Sequence, residues 1–324
     1  MSSGTAALEA ALYTLGVGPD DEVVMPAFTI ISCALAVIRL GAKPVLVDID
    51  PETWCMDTTK VAARLSSRTK VVMPVHIYGH PVDMDPLLRL RENHGYKILE
   101  DAAEVHGAEY FSRHLGNRWV KCGAMGDATA TSFYANKIVT TGEGGMVLTD
   151  NSIADERARS YRNLCFQPER RFYHLEMGQN FRMTNLQAAV GLAQVERLDE
   201  FLEIKTKIAG FYRQRLTGIH GLRFMPVKSW AKSVYWVYAV ELDPDIGLDA
   251  TTVMERLRQK GVATRPFFIG LHEQPVFRRR GLFDGEPFPH TEKASRLGFY
   301  LPSSLTLDEA AVEKIAAALG DSLK

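Results

Sequence analysis

The sequence contains little cysteine, and its cysteines are not arranged in pairs. Only four of its 324 residues are cysteine, and no two of them form a Cys-x-x-Cys pair; they are Cys33, Cys55, Cys122 and Cys165. Such spacing is typical neither of a disulfide framework nor of a zinc finger. We therefore expect reduced thiols in a cytoplasmic protein and no structural metal.

Long apolar runs and an excess of one charge are also absent. No apolar run reaches the roughly 18 residues that a membrane helix needs, and no secretory signal opens the chain. Lys and Arg number 38 against 39 for Asp and Glu, a net charge of −1. No overall electrostatic field therefore favours nucleic acid or an anionic membrane as a partner. The length predicts one large domain and a smaller one.

The motifs of several common enzyme classes are missing as well. Glycines 142, 144 and 145 follow a lysine instead of preceding a Lys-Ser/Thr pair, so they do not form a Walker loop. No Gly-x-Gly-x-x-Gly follows a predicted strand. His76 and His80 are four residues apart but lack the glutamate of His-Glu-x-x-His and follow a strand. These absences argue against nucleotide hydrolysis, dinucleotide binding and a zinc site.

What the sequence does contain is one lysine in an unusual setting. A β-type run at 128–134 leads to Lys137, then to the glycine cluster, then to a second short run at 146–149. Most lysines are solvated surface charges. A lysine between two strands beside a turn of small residues suits a buried amine that can lose its proton. Such an amine forms an imine with a carbonyl or with pyridoxal phosphate.

Short apolar runs at 22–26, 44–48, 69–75 and 96–101 alternate with helical segments. This pattern predicts a mostly parallel sheet covered on both faces, with ligands at the carboxyl ends of its strands. Asp101 stands at one such end, where it either caps the next helix or faces a ligand. An aspartate for the pyridinium nitrogen and a lysine for the aldehyde are the protein groups that pyridoxal phosphate chemistry requires.

The remaining segments give coarser predictions. Ser3 or Thr5 can cap a helix whose free amides at Gly4 and Thr5 suit an anion, although a plain capped helix is the alternative. Segment 111–120 reads as an exposed loop and 58–65 as a polar helix. A long helix begins near Leu186. We expect a large domain at 1–206 and a small α+β domain at 207–324.

The motifs resemble those of DegT/StrS-type sugar-nucleotide aminotransferases, a branch of the aspartate-aminotransferase-like (fold type I) pyridoxal phosphate enzymes. The matching stretches are residues 3–8, 100–104, 132–137, 141–146 and 180–189. Residues 75–81 and 264–268 are most similar to those of GDP-perosamine synthases. The resemblance implies an α/β fold of type I, with a mostly parallel sheet flanked by helices and a small C-terminal domain.

The resemblance also implies roles for individual residues. Lys137 forms the imine with the cofactor and moves the substrate proton, and Asp101 pairs with the pyridinium nitrogen. Glu104 lies beside the ring. The other implied contacts are Gly4, Thr5 and Ser132 to the phosphate, Asn180 to the phosphate from the second subunit of a homodimer, and Arg265 and His272 near the sugar nucleotide.

The implied reaction is amino transfer from L-glutamate to the C4 ketone of GDP-4-keto-6-deoxymannose. Alternatives are another 3- or 4-keto sugar nucleotide, a related 3-dehydratase, which carries histidine where Lys137 stands, and a non-catalytic relative. Two departures from the family are expected to matter. Family members begin earlier, so an N-terminal segment that walls the substrate site is expected to be missing. Ile30 occupies the position where many relatives stack an aromatic ring on the cofactor.

Overall fold

The computed structural model describes residues 1–324. Its strands are β1 (Glu22–Pro26), β2 (Lys43–Val47), β3 (Thr69–Val72), β4 (Lys97–Asp101), β5 (Glu109–Ser112), β6 (Arg118–Lys121), β7 (Ala128–Ser132), β8 (Gly145–Leu148), β9 (Leu222–Phe224), β10 (Ala231–Lys232), β11 (Tyr238–Leu242), β12 (Arg265–Pro266) and β13 (Gly298–Leu301). Its α-helices are α1 (Gly4–Thr14), α2 (Ser32–Arg39), α3 (Asp85–His94), α4 (Ser152–Tyr161), α5 (Asn185–Val195), α6 (Leu198–Leu216), α7 (Ala250–Gln259), α8 (Pro275–Arg278), α9 (Pro289–Leu297) and α10 (Glu309–Ser322). None of the helices has both the length and the hydropathy needed to cross a bilayer.

The central sheet has the strand order β2-β1-β3-β4-β7-β8. Every neighbouring pair is parallel except β7 and β8, which run antiparallel. All residues of β1 and β7 are buried, as expected for strands covered on both faces. The prediction of a mostly parallel α/β sheet is confirmed. The carboxyl ends of β4 and β7 lie side by side, and Asp101 pairs with Ala130, two residues before Ser132.

Helix α1 packs against β7 and β8. It begins at Gly4 because the Ser3 hydroxyl accepts a hydrogen bond from Ala6 N at 3.1 Å, which is an N-cap. A Cβ at position 145 would lie 2.3 Å from the carbonyl oxygen of Ser3. Only glycine therefore lets β8 approach the start of α1 this closely.

Two local predictions from the sequence were wrong. Residues 111–120, predicted as a loop, belong mostly to an antiparallel hairpin of β5 and β6. This hairpin is anchored by Asp85, whose carboxylate accepts from the Ser112 hydroxyl at 2.5 Å and from Arg113 N at 2.8 Å. The strands are short and polar, so their pattern resembles that of a loop. Residues 58–65 form two short 3₁₀ turns instead of an α-helix.

The C-terminal part has a second sheet, of order β12-β13-β11-β9, packed against α6, α7 and α10. The second half of α6 contributes Ile208, Tyr212 and Leu216 to this core. The predicted boundary at 206/207 lies within α6, which runs from the larger core into the smaller one. The division at that residue stays a prediction.

Candidate active site

A cavity of about 420 Å³ opens at the carboxyl ends of the central strands. Most of the residues singled out from the sequence line it, namely Gly4, Thr5, Ile30, Asp101, Glu104, Ser132 and Lys137. These residues come from four separate segments of the chain. The fold therefore brings them together at the edge where parallel sheets bind ligands.

One end of the cavity is the N-terminus of α1. A Cβ at Gly4 would lie 2.7 Å from Cβ of Ser132, so glycine is needed for α1 to approach β7. The Thr5 hydroxyl donates to the Ser32 hydroxyl at 2.9 Å. Backbone N–H groups at the start of a helix, together with three hydroxyl side chains, form a site suited to phosphate.

Asp101 ends β4 and is only 2% exposed. Its Oδ1 accepts from Ala103 N at 3.0 Å, and its Oδ2 accepts from Cys33 Sγ at 3.2 Å. Burial and the charge of Asp101 raise the pKa of the Cys33 thiol well above its ordinary value, so the thiol stays protonated and donates. The sequence analysis missed Cys33. Its place after the carboxyl end of β1 is a signal that could have found it.

Lys137 follows β7 in a short loop, with its side chain 11% exposed. Its Nζ lies 3.6 Å from Glu104 Oε1 and 3.9 Å from the centre of the Trp236 ring. Trp236 also donates its Nε1–H to the carbonyl of Asn136 at 2.7 Å. The indole thus holds both the loop and the amine of the lysine. The sequence analysis missed Trp236, because nothing in the chain links it to a residue 99 positions earlier.

Glu104 is 5% exposed and accepts a hydrogen bond from Tyr78 N at 2.8 Å. Burial raises the pKa of Glu104 to about 7, although the charge of Lys137 acts in the opposite direction. Tyr78 has a positive φ of 54°, a conformation that few non-glycine residues adopt. This strained backbone directs the Tyr78 N–H towards the carboxylate. A carboxyl group with such a pKa can carry or release a proton near neutral pH.

His106 lies next to the cavity wall, with its Nε2 2.6 Å from the Thr131 hydroxyl. Burial lowers the pKa of His106 to about 4, and the charge of Lys137 adds to this effect. The ring is therefore neutral at physiological pH. It adds no positive charge beside Lys137.

The remaining predicted residues lie elsewhere or only at the edge. Ile30 lines the cavity and is 42% exposed. Asn180 is exposed and accepts from Arg182, and it does not line the cavity. Arg265 lines a neighbouring cleft. His272 is buried between Phe288 and Glu292 and lines neither.

His76 and His80, the pair four residues apart, are engaged in the interior. His76 Nε2 lies 3.1 Å from Glu100 Oε2, and its Nδ1 accepts from Val82 N at 2.9 Å. His80 Nδ1 lies 2.7 Å from the carbonyl of Pro81. These contacts give both histidines a role in packing the segment that precedes the cavity.

The arrangement fits pyridoxal phosphate. The close approach of α1 to Ser132, which only glycine at position 4 allows, leaves a cradle for the phosphate. Asp101, fixed by two donors, faces the same cavity as Lys137. These are the carboxylate and the amine that the cofactor requires.

Comparison with known proteins gives a family match over nearly the whole chain. The model of the DegT/DnrJ/EryC1/StrS aminotransferase family matches residues 1–320. The chain is 39% identical to the GDP-perosamine synthase of Caulobacter vibrioides over 99% of this chain and 84% of that protein. It is 32% identical to the GDP-perosamine synthase of Escherichia coli O157:H7, again over 99% and 84%. It is 34% identical to the UDP-2-acetamido-2-deoxy-3-oxo-D-glucuronate aminotransferase of Pseudomonas aeruginosa over 98% and 84%.

Solved structures match the backbone equally well. A structure of 3-amino-5-hydroxybenzoic acid synthase has a TM-score of 0.89 at 30% identity, covering 99% of this chain and 85% of that one. The structure of DesI in the presence of its TDP-sugar product has a TM-score of 0.88 at 29% identity, covering 100% and 79%. The predicted fold of type I is confirmed by such neighbours.

Proposed function

Because this chain belongs to the DegT/DnrJ/EryC1/StrS aminotransferase family, we propose that it makes GDP-perosamine. The enzyme is a pyridoxal-phosphate-dependent aminotransferase that acts on sugars. In the proposed reaction L-glutamate supplies the amino group and the C4 ketone of GDP-4-keto-6-deoxymannose receives it. The observation that carries the proposal is the Asp101 and Lys137 pair in one cavity, within a chain so similar to GDP-perosamine synthases.

We assign the cofactor contacts as follows. Gly4, Thr5 and Ser132 would hold the phosphate, Asp101 the pyridinium nitrogen and Lys137 the aldehyde carbon. Glu104 and Ile30 would lie beside the ring. When bound, pyridoxal phosphate supplies an electron sink that stabilises the carbanion of the substrate. Asp101, which is buried and held by Cys33 and Ala103, would keep the ring nitrogen protonated.

Lys137 is proposed as the proton carrier. Its Nζ would take the proton from Cα of glutamate in the first half-reaction and return one to C4 of the sugar in the second. Glu104, 3.6 Å away with a pKa near 7, can exchange a proton with this amine. Trp236 covers the other side of Lys137 and limits the access of water.

The substrate assignment draws on the similarity to GDP-perosamine synthases from several bacteria. The similar Pseudomonas aeruginosa protein is named for a UDP-linked 3-oxo sugar. The main alternative is therefore a substrate with a different nucleotide and with its ketone at a different position of the sugar ring. A 3-dehydratase is disfavoured because Lys137, not histidine, faces the cavity. A non-catalytic role is disfavoured by the intact pair of Asp101 and Lys137.

We further propose a homodimer with shared sites. Helix α5 has no buried residue, although it carries Leu186, Val190, Leu192 and Val195. An apolar helix without a covering layer is typical of an interface. Asn180, five residues before this helix, does not line the cavity of its own chain and would reach the phosphate of the partner's site.

The test is a direct assay of the reaction. The protein is incubated with pyridoxal phosphate, L-glutamate and GDP-4-keto-6-deoxymannose, and the products are identified by mass spectrometry. The expected product is GDP-linked 4-amino-4,6-dideoxymannose, formed together with 2-oxoglutarate. If the 3-hydroxyl is lost, the dehydratase alternative is correct. If only thymidine- or uridine-linked keto sugars are aminated, the nucleotide assignment is wrong and the reaction class stands.

A further inference from the structure

The carboxylate of Asp101 is buried without a positively charged partner from the protein. Asp101 is 2% exposed and takes part in no salt bridge. The amine of Lys137, at the same cavity, lies 3.6 Å from Glu104 instead. A buried carboxylate is costly unless hydrogen bonds and a positive charge compensate for its lost hydration. The pyridinium nitrogen of the proposed cofactor would supply the charge, so the protein has to supply the hydrogen bonds.

Two neutral donors of the protein reach this carboxylate. The backbone N–H of Ala103 donates to Oδ1 at 3.0 Å, and the Cys33 thiol donates to Oδ2 at 3.2 Å. Ala103 follows Asp101 by two residues, so this donor moves with the carboxylate that it contacts. Cys33 lies in the first turn of α2, 68 positions earlier in the chain. The thiol is therefore the donor that fixes the direction of Asp101 from a separate element.

The Thr29 hydroxyl fixes the direction of the thiol in turn. Its Oγ1 lies 3.4 Å from Cys33 Sγ, and both side chains are at most 1% exposed. Burial and the charge of Asp101 hold the pKa of the thiol well above its ordinary value, so the sulfur keeps its single hydrogen. That hydrogen points to the carboxylate, which is the stronger acceptor because it is charged. The hydroxyl has no other hydrogen-bond partner and donates to the sulfur.

The chain segment that carries these two side chains also forms part of the cavity wall. Residues 27–31 connect β1 to α2, and both Thr29 and Ile30 line the cavity. Cys33 does not line it and contacts Asp101 from outside. One short segment thus gives Ile30 to the place proposed for the cofactor ring and two polar groups to the support of the carboxylate.

We propose that Cys33, directed by Thr29, is a positioning residue that keeps Asp101 ionised and aimed at the ring nitrogen of the cofactor. The inference rests on the cofactor contacts of the proposed function and does not depend on the sugar. A hydrogen bond to the ionised form of a carboxyl group favours that form, and an ionised carboxylate favours a protonated nitrogen beside it. Cys33 therefore acts on the cofactor only through Asp101.

The test compares the binding of two ligands to the apoprotein by equilibrium dialysis. They are pyridoxal phosphate and its deaza analogue, in which a C–H group replaces the ring nitrogen. The wild type should prefer pyridoxal phosphate, because only this ligand has the atom that Asp101 contacts. Cys33→Ala should reduce the preference roughly 10-fold, since a hydrogen bond to a charged group is lost. A merely structural loosening of the site would weaken the binding of both ligands alike.

Two further variants separate the hydrogen bonds from the packing. Cys33→Ser retains a donor and should recover most of the preference for pyridoxal phosphate. Thr29→Val removes the hydroxyl with little change in shape. It should reduce the preference by a smaller factor, about 3-fold, because the thiol loses the donor that directs and polarises it. Melting temperatures of the apoproteins show whether each variant is folded.

The matched control is Cys55→Ala, the same substitution at another buried cysteine. Cys55 is 2% exposed, its thiol donates to the carbonyls of His80 and Pro81, and it does not line the cavity. This variant should keep the preference of the wild type. An unchanged preference in Cys33→Ala would overturn the inference. If Cys33→Ala does not fold, an unchanged preference in Thr29→Val overturns it.

A spectroscopic measurement observes the ring nitrogen directly. Holoenzymes are prepared with pyridoxal phosphate labelled at this nitrogen, and its NMR signal distinguishes the protonated from the neutral ring. The signal should lie at the protonated position in the wild type, move towards the neutral position in Cys33→Ala and return in Cys33→Ser. A signal that does not move in Cys33→Ala would contradict the inference alone. If the wild type shows a neutral ring and no preference between the ligands, the proposed contact of Asp101 fails as well.

Discussion

At the scale of single residues, Lys137 is defined by what surrounds it. Most lysines point into water, whereas this one is 11% exposed between a carboxyl group and an indole ring. The only carboxylate within ion-pair distance, Glu104, has a pKa near 7, so it neutralises the amine only partly at physiological pH.

The first prediction concerns the identity of the cofactor lysine. After borohydride reduction of the holoenzyme, mass spectrometry should find the pyridoxyl group on the peptide that contains Lys137. Lys137→Ala should carry no such group and should lose activity by a factor of at least about 100, since it lacks the proton carrier. Lys97→Ala, an exposed lysine, serves as the control. An adduct on any other lysine would refute the assignment.

The second prediction concerns Glu104 and pH. Its folded-state pKa of about 7 lies above the ordinary 4.5, so the unfolded chain ionises first as pH rises. The contribution of the protonated Glu104 carboxyl to the stability of the wild type is therefore fully present below pH 4.5 and is lost as pH rises to 7. As pH rises across this range, the free energy of unfolding of Glu104→Gln, whose side chain does not titrate, should increase by roughly 3 kcal/mol relative to that of the wild type.

The measurement is denaturant unfolding of the two apoproteins at about pH 4.5 and pH 8. Taking the difference between variant and wild type cancels the titration of the other groups. A difference that does not change with pH would show that Glu104 has no raised pKa in the folded protein.

At the scale of elements, the ends of β4 and α1 set the geometry. Neighbouring residues on β4 point to opposite sides, so Glu100 faces the interior while Asp101 faces the cavity. Glu100 accepts from Gly123 N, Met125 N and Gly126 N at 2.6–2.8 Å and contacts His76 at 3.1 Å. These bonds fix the strand on which Asp101 is carried.

The third prediction concerns the start of α1. Gly4→Ala places a methyl group 2.7 Å from Cβ of Ser132, which forces α1 away from β7. We expect affinity for pyridoxal phosphate to fall roughly 10-fold, because the helix N-terminus and the hydroxyls no longer converge on the phosphate. Binding is measured by equilibrium dialysis. Gly18→Ala, where the new methyl group meets nothing within 4 Å, is the control. Equal affinities in the two variants would contradict the proposed phosphate site.

Elements of strong local pattern were predictable, and contacts made across the fold were not. The buried strands and the residues at their carboxyl ends follow from apolar runs and from the parallel topology, which is how Asp101 and Lys137 were found. The β5–β6 hairpin was missed because its stability comes from Asp85, more than twenty residues away along the chain. Trp236 was missed for the same reason, since only tertiary packing brings it to the lysine loop.

At the scale of the whole molecule, large apolar side chains are exposed on α5 and in the segment before it. Leu186 is 83% exposed and Leu192 62% exposed on α5, and Phe172 and Met177 are 82% and 92% exposed in the preceding segment. Large apolar side chains exposed together on one monomer are costly in water. A second copy of the chain would bury them and would bring Asn180 to the neighbouring site.

The last prediction tests this arrangement. Leu192→Arg would place an unpaired charge in the proposed interface and should weaken dimerisation at least about 100-fold, because such burial costs several kcal/mol. Analytical ultracentrifugation gives the dissociation constant, and cofactor absorbance over the same concentration range reports bound pyridoxal phosphate. We expect the cofactor to be lost in step with dissociation, since Asn180 of each chain would complete the phosphate site of the other. Val227→Arg, at an exposed apolar residue outside α5, is the control and should remain dimeric. A monomeric variant that keeps wild-type cofactor affinity would refute the shared site, and an unaffected dimer would exclude α5 from the interface.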